Sequence, residues 1–253
     1  MGADERPSPG LMPYKKLRIE VANRVGYILL DAGLRFNKLS ITTIRELKRA
    51  VAQVEADDAV QAVVLSGFSG ESFAVGADIG QMVHFSPGDA FHFSELGQSL
   101  FDRIESCPKP VIAALNGITM GGGCDLAMSC DLRIAAEGVR IGHSGAKLGI
   151  ITGFCGTHKL PRIVGKNYAR EIFMTSEIYG AAEALRMGLV DRVYPEQEFW
   201  PQVTAFAERV ASHPPVALAA AKRLVNAAEE TDLRNGCLLE RETATHVNAR
   251  HSC

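Results

Sequence analysis

The chain has 253 residues, 47% hydrophobic and 22% charged, which fits one large globular domain and excludes a fibre or a disordered segment. Its 27 basic and 29 acidic residues leave a net charge of −2, so no overall positive excess points to a nucleic-acid partner. No run approaches the ~18 apolar residues of a membrane span, and the segment Met1 to Pro7, with its acidic pair, lacks the apolar stretch of a secretory signal.

Residues 1–13 hold three prolines and two glycines and read as a flexible tail. Leu17 to Val21 and Val25 to Leu30 read as two strands joined at Asn23-Arg24 in a hairpin. Ile44, Leu47, Val51 and Val54 recur at helical spacing within 41–57, with Thr43 and Glu46 as a candidate capping pair. A buried strand follows at 62–66. A helix near 88–105 carries Phe93, Leu96, Leu100 and Ile104 and is ended by Pro108 and Pro110. Further strands are expected at 111–115 and 132–136. From about 166 onward the pattern is helical, with Leu189 to Tyr194 as the one extended exception. Alternating strands and helices predict an α/β fold with a parallel sheet over 14–195, followed by a helical segment over 196–253.

The six cysteines, at 107, 124, 130, 155, 237 and 253, form no CxxC pair. They read as reduced thiols, buried or at the surface, in a cytoplasmic protein, with Cys124 and Cys130 packed in the core. No HExxH run or carboxylate cluster indicates a metal site.

Two glycine-bearing turns can carry chemistry. One is Phe73 to Ile79, the other Asn116 to Asp125. Glycines at a strand-to-helix turn admit close backbone approach and leave amide N–H groups unpaired. Such groups bind anions or an oxygen that becomes negative during reaction. Neither turn ends in the Gly-Lys-Ser/Thr of a phosphate loop, and Leu126 breaks a dinucleotide fingerprint starting at Gly121. Gly121 to Gly123 therefore serve either tight helix packing or an oxyanion site. Asp125 sits in a first helical turn, where the dipole favours its charge; the alternative is a general acid or base beside the oxyanion donors. His143 is either a hydrogen-bonded structural residue or a further proton carrier, and Ser144 lacks the GxSxG context of a nucleophile.

Gly76-Ala77-Asp78-Ile79, Pro110 to Gly117, Gly121 to Ala127 with Cys130-Asp131, Leu148-Gly149, Leu160 to Gly165, and Ala181 to Ala184 with Gly188-Leu189-Val190 together resemble the enoyl-CoA hydratase/isomerase (crotonase) superfamily over roughly residues 17–246. The resemblance implies a spiral of ββα turns with a C-terminal helical segment that trimerises, giving a homotrimer or dimer of trimers. It implies an acyl-CoA thioester substrate, with coenzyme A entering as part of the substrate and no metal or redox cofactor. By motif position, the backbone N–H groups of Ala77 and Gly122 hold the thioester oxygen. Leu34, Arg35, Phe36 and the run Ala74, Gly76, Asp78, Ile79 match the segments along the coenzyme A channel.

Hydratases of this family use two glutamates. Asp125 stands at the first position, and Gly145 stands where the second would be. A related branch also carries glycine there, but with aspartate at the position of Thr152. The family pattern also continues beyond the stretch matching Arg250-His251-Ser252. The expected activities are therefore hydration or isomerisation with an atypical acid/base set, in which Asp125 is assisted by His143. The alternatives are decarboxylation or hydrolysis of an acyl-CoA, or coenzyme A binding with little catalysis.

Overall fold

The structure, a computed structural model, describes residues 13–68 and 71–249. The expected N-terminal tail lies almost entirely outside the described residues, as do Arg250 to Cys253. Strands β1 (Leu17–Ala22) and β2 (Val25–Leu30) pair antiparallel, as expected. Asn23 and Arg24 turn the hairpin at φ 50° and 67°, both in the left-handed region that a two-residue hairpin turn demands. Helix α1 (Ile41–Ala56) buries the expected stripe of Ile44, Leu47, Val51 and Val54. Its cap differs from expectation. The Ser40 hydroxyl accepts the Thr43 amide at 3.1 Å, while Glu46 reaches out of the helix to accept the amides of Lys15 and Lys16.

The elements that follow are β3 (Ala62–Gly67), β4 (Ser72–Ala74), α2 (Ile79–Met82), α3 (Pro87–Ser106), β5 (Val111–Leu115), β6 (Ile118–Met120), α4 (Gly122–Met128), β7 (Leu132–Ala136) and β8 (Arg140–Gly142). Then come α5 (Gly156–Thr175), β9 (Ile178–Gly180), α6 (Ala181–Met187), β10 (Arg192–Tyr194), α7 (Glu196–Ala211), α8 (Pro215–Ala227) and α9 (Leu233–Ala249). Thus α5 starts ten residues before the expected helical region, β9 interrupts that region, and only 192–194 of the expected extended run is a strand. Gly165, at φ 78°, kinks α5 after Pro161.

The strands form two sheets. The larger has the order β1-β2-β3-β5-β7-β10, parallel from β2 onward; the smaller has the order β4-β6-β8-β9. Each of the pairs β3/β4, β5/β6 and β7/β8 sends its first strand to the large sheet and its second to the small one before the chain returns through helices. This is the expected spiral of ββα turns. Because side chains alternate along a strand, Val63, Leu65, Ala113 and Leu115 face the core shared with Phe73, Leu100 and Phe101. Val64, Ile112, Ala114 and Ile134 face the opposite side, where Phe199, Val203 and Ala207 of α7 cover them. Helix α7 lies beyond the expected boundary at 195, yet it closes the sheet's second face and packs as part of the core.

The helices after α7 behave differently. No residue of α8 is buried, and Thr243 is the one buried residue of α9. Helix α8 is tied down by Lys222, which pairs with Asp131 at 2.8 Å and donates to the carbonyls of Ile104 and Lys109.

Candidate active site

The two glycine turns meet at a cavity of about 260 Å³ beside the small sheet. Gly76, at φ 95°, lets the first turn approach the second: a Cβ there would lie 3.0 Å from the Met120 carbonyl and 3.2 Å from the Gly122 nitrogen. Gly123 is tighter still, with its missing Cβ position 2.0 Å from the Ala74 carbonyl oxygen. The glycines therefore serve close packing, and the close packing juxtaposes two amides. Gly76 and Asp78 both bond to Leu39, through Leu39 N to Gly76 O at 2.8 Å and Asp78 N to Leu39 O at 3.3 Å. In extended backbone the intervening amide points the other way, so the Ala77 N–H faces away from Leu39, toward the cavity that Ala77 lines. Gly122 begins α4, where the first amides have no partner within the helix. Neither the Ala77 nor the Gly122 amide donates to another protein group among the described residues.

The cavity wall is largely apolar, with Met82, Phe85, Phe93 and Phe154 inside and Leu148 and Ile151 at its exposed rim. Phe154 closes its floor, its ring tilted against Phe93 at 5.2 Å and edge-to-face with Phe101 at 5.7 Å. His143 is the single titratable side chain among the described residues that line the cavity.

Asp125 does not reach the wall. It is fully buried behind His143 and Thr152. The Thr152 hydroxyl donates to its Oδ2 at 2.5 Å, and His143 Nε2 lies 3.3 Å and 3.4 Å from its two oxygens. Gly156 makes room for this carboxylate, since a Cβ there would sit 2.1 Å from Oδ1. The His143 ring packs at a tilt against Phe173 with centroids 4.7 Å apart, and its Nδ1 is buried with no hydrogen-bond partner. The structure thus brings Asp125 and His143 together, and adds Thr152, which the sequence marked only as a place where a relative carries aspartate.

The other expected site residues divide. Gly76, Ala77, Gly122 and Ile79 line the cavity. Ala74 is fully buried beneath Gly123. Leu34, Arg35 and Phe36 lie off the wall, on the loop after β2. That loop is held by the Arg35–Glu71 ion pair, at 2.6 Å, just before β4 and by the Lys38–Asp78 ion pair, at 3.4 Å, on the first glycine turn. Cys124 and Cys130 lie in the core as expected, where burial pushes the Cys124 thiol up and the Cys130 thiol up to about 12.

Gly145, at the position of the second family glutamate, lines the cavity. A Cβ there would stand 2.8 Å from the Ile150 carbonyl oxygen, inside a turn whose 145 carbonyl accepts the amides of Leu148 and Ile150. Gly145→Glu is therefore expected to lower stability by about 1–3 kcal/mol without raising turnover; thermal melts alongside a hydration assay check this.

The family model for enoyl-CoA hydratase/isomerase matches residues 20–253. The chain is 38% identical over 229 residues to a crotonyl-CoA hydratase of Syntrophomonas wolfei, covering 90% of this chain and 88% of that protein. It is 36% identical over 231 residues to a short-chain-enoyl-CoA hydratase of Clostridium acetobutylicum, covering 91% and 88%. The crystal structure of an enoyl-CoA hydratase from Bacillus anthracis superposes with a TM-score of 0.89 at 31% identity, covering 92% of this chain and 91% of that one.

Proposed function

Since the chain belongs to the enoyl-CoA hydratase/isomerase family, we propose that it hydrates or isomerises enoyl-CoA thioesters, with the Ala77 and Gly122 amides holding the thioester oxygen and the Asp125–His143 pair handling protons. The observation that carries this reading is the meeting of two unpaired amides at an apolar cavity, beside a single buried Asp–His pair. An enolate oxygen gains charge during reaction, and fixed N–H donors in a dry cavity stabilise it by about 3–4 kcal/mol each. The coenzyme A portion is placed over the loop of Leu34, Arg35 and Phe36 and along Gly76 to Ile79, with the acyl chain between Met82, Phe85 and Phe93. No helix among the described residues is long and apolar enough to cross a membrane.

Incubation with enoyl-, saturated and carboxylated acyl-CoAs in deuterated water, read by mass, tests the proposal. The expected result is hydration of a 2-enoyl-CoA with one deuterium fixed at the α-carbon. Carbon dioxide release or free coenzyme A in its place would assign decarboxylation or hydrolysis, and binding without turnover would leave a coenzyme A-binding protein.

The protein is also expected to form a trimer or a dimer of trimers. Apart from the Lys222 side chain, helix α8 is half-buried or exposed within its own chain, and Val216, Val225 and Leu238 are 42%, 70% and 45% exposed, the kind of apolar surface that association covers. A sedimentation mass equal to one chain at micromolar concentration would overturn this.

A further inference from the structure

The geometry points to a division of labour within the Asp125–His143 pair: Nδ1 of His143 is the one group that exchanges protons with the acyl chain, and Asp125 and Thr152 are positioning residues that never touch it. This deepens the proposed function and rests on it.

The argument starts from donors and acceptors. Thr152 has one hydroxyl hydrogen. Its oxygen accepts the Phe154 amide at 3.1 Å, and its hydrogen goes to Asp125 Oδ2. That hydrogen fills one acceptor site of the Asp125 carboxyl. The group facing both of its oxygens is His143 Nε2, at 3.3 Å and 3.4 Å, and the division of labour has Nε2 donate its hydrogen to that carboxyl. A neutral imidazole with its hydrogen on Nε2 has its lone pair on Nδ1. That atom is buried and has no protein partner. It lies toward Gly145 on the cavity wall, 3.6 Å from where a Cβ at that position would stand. The Phe173 ring packs beside the imidazole, tilted by 54°. Asp125 is enclosed by Thr152, His143 and Gly156, with its Oδ1 buried and unpartnered, and it does not line the cavity, whereas His143 does.

A hydration then balances with one carrier. The Nδ1 lone pair takes a proton from water as the water oxygen bonds to the β-carbon. The C=C electron pair moves to the thioester, whose oxygen becomes the enolate held by the Ala77 and Gly122 amides. The imidazolium returns its Nδ1 proton to the α-carbon, the carbonyl re-forms, and one water has been added with His143 restored. For isomerisation the same nitrogen carries a proton from the γ-carbon to the α-carbon. A second carboxylate is not needed, which accounts for glycine at position 145.

The test joins kinetics with nitrogen NMR of the histidine rings. In the native protein the His143 ring should carry a proton on Nε2 and none on Nδ1. In Asp125→Asn that tautomer preference should weaken, because the amide has one acceptor oxygen in place of two and its NH2 group, facing His143 Nε2, favours a bare nitrogen there. His143→Ala should lose about 10²–10⁴-fold in kcat with KM changed only a few-fold, and imidazole added to the solution should restore part of the rate. Thr152→Val should lower kcat, with Thr152→Ser recovering it. A native tautomer with its proton on Nδ1, or His143→Ala retaining activity while Asp125→Asn loses it, overturns the assignment. If Asp125→Asn does not fold, the native tautomer and the imidazole rescue still decide. A native protein inactive on the whole acyl-CoA panel overturns the functional reading instead, while the tautomer measurement, made without substrate, continues to judge the geometry.

Discussion

Gly123→Ala is expected to cost about 3 kcal/mol or more of stability, at or beyond the upper end of ordinary overpacking, and to abolish turnover in whatever fraction remains folded. The new Cβ would lie 2.0 Å from the Ala74 oxygen, 2.6 Å from its carbonyl carbon and 2.9 Å from its Cβ. Two of these are backbone atoms of β4, so no side-chain rotation relieves the clash. Either α4 or β4 must move, and both carry the site: α4 begins with the Gly122 amide, and β4 leads into Ala77. In a chain of this size ~1 kcal/mol shifts the melting temperature by about 2–4 °C, so a fall of roughly 6–12 °C is the expected reading. Gly236→Ala is the matched comparison. No atom lies within 4 Å of its added Cβ, and inside α9 alanine should stabilise by about 0.4–1 kcal/mol. The same chemical change should thus move stability in opposite directions at the two positions. An unchanged melting temperature for Gly123→Ala would refute the reading of this contact.

Lys222→Met should destabilise by about 3 kcal/mol, the lower end of the cost of breaking a buried pair from one side. Lys222 is 7% exposed in its side chain and Asp131 is 21% exposed. Asp131 also accepts the Val111 amide at 2.7 Å at the head of β5, so its charge stands at the joint between the large sheet and α8. Burial already pushes the Asp131 carboxyl above its usual value of 3.8, with Lys222 opposing the rise. A carboxyl with a raised folded-state pKa binds its proton more tightly when folded. Its penalty is therefore full above that folded value and relaxes as pH falls through it toward 3.8. Removing Lys222 enlarges the penalty, so the deficit of the variant relative to the parent should be greatest near neutrality and shrink on acidification. Adding Asp131→Asn to Lys222→Met should recover part of the loss at pH 7. Urea titrations of parent, single and double variants across pH 5–7.5 give the comparison, and a deficit that grows toward acid would contradict it.

The middle of the large sheet was legible because β2, β3, β5 and β7 are five or six residues of mostly apolar sequence, such as Val111 to Leu115, and α1 because its stripe holds strict helical spacing. The small sheet was not. Ser72–Ala74, Ile118–Met120 and Arg140–Gly142 are three residues each, too short for any period to register, and they exist only because the neighbouring turn of the spiral supplies partners. The boundary set at 195 missed that α7 closes the large sheet's second face, a fact of tertiary contact that its amphipathic pattern leaves open. At the site, the motif spacing placed the glycines, Asp125 and His143. It did not place the direction of their side chains. That Asp125 is walled off depends on Thr152 and on the bare Cα of Gly156, residues far along the chain whose relation to Asp125 is purely spatial.

The alternation of successive strands between two sheets also governs how the chain reaches this state. Only the β1–β2 hairpin closes through a two-residue turn; the Ser66 hydroxyl must find the Ala114 carbonyl across 48 residues of sequence. Parallel pairings of this span delay folding, because loop-closure entropy is lost before the contacts compensate it. A nascent chain released as far as β4 has no partner yet for that strand, and β6 must wait in turn for β8. The spiral should therefore assemble late and nearly all at once, with amide-exchange protection in the small sheet appearing no earlier than that in β5 and β7.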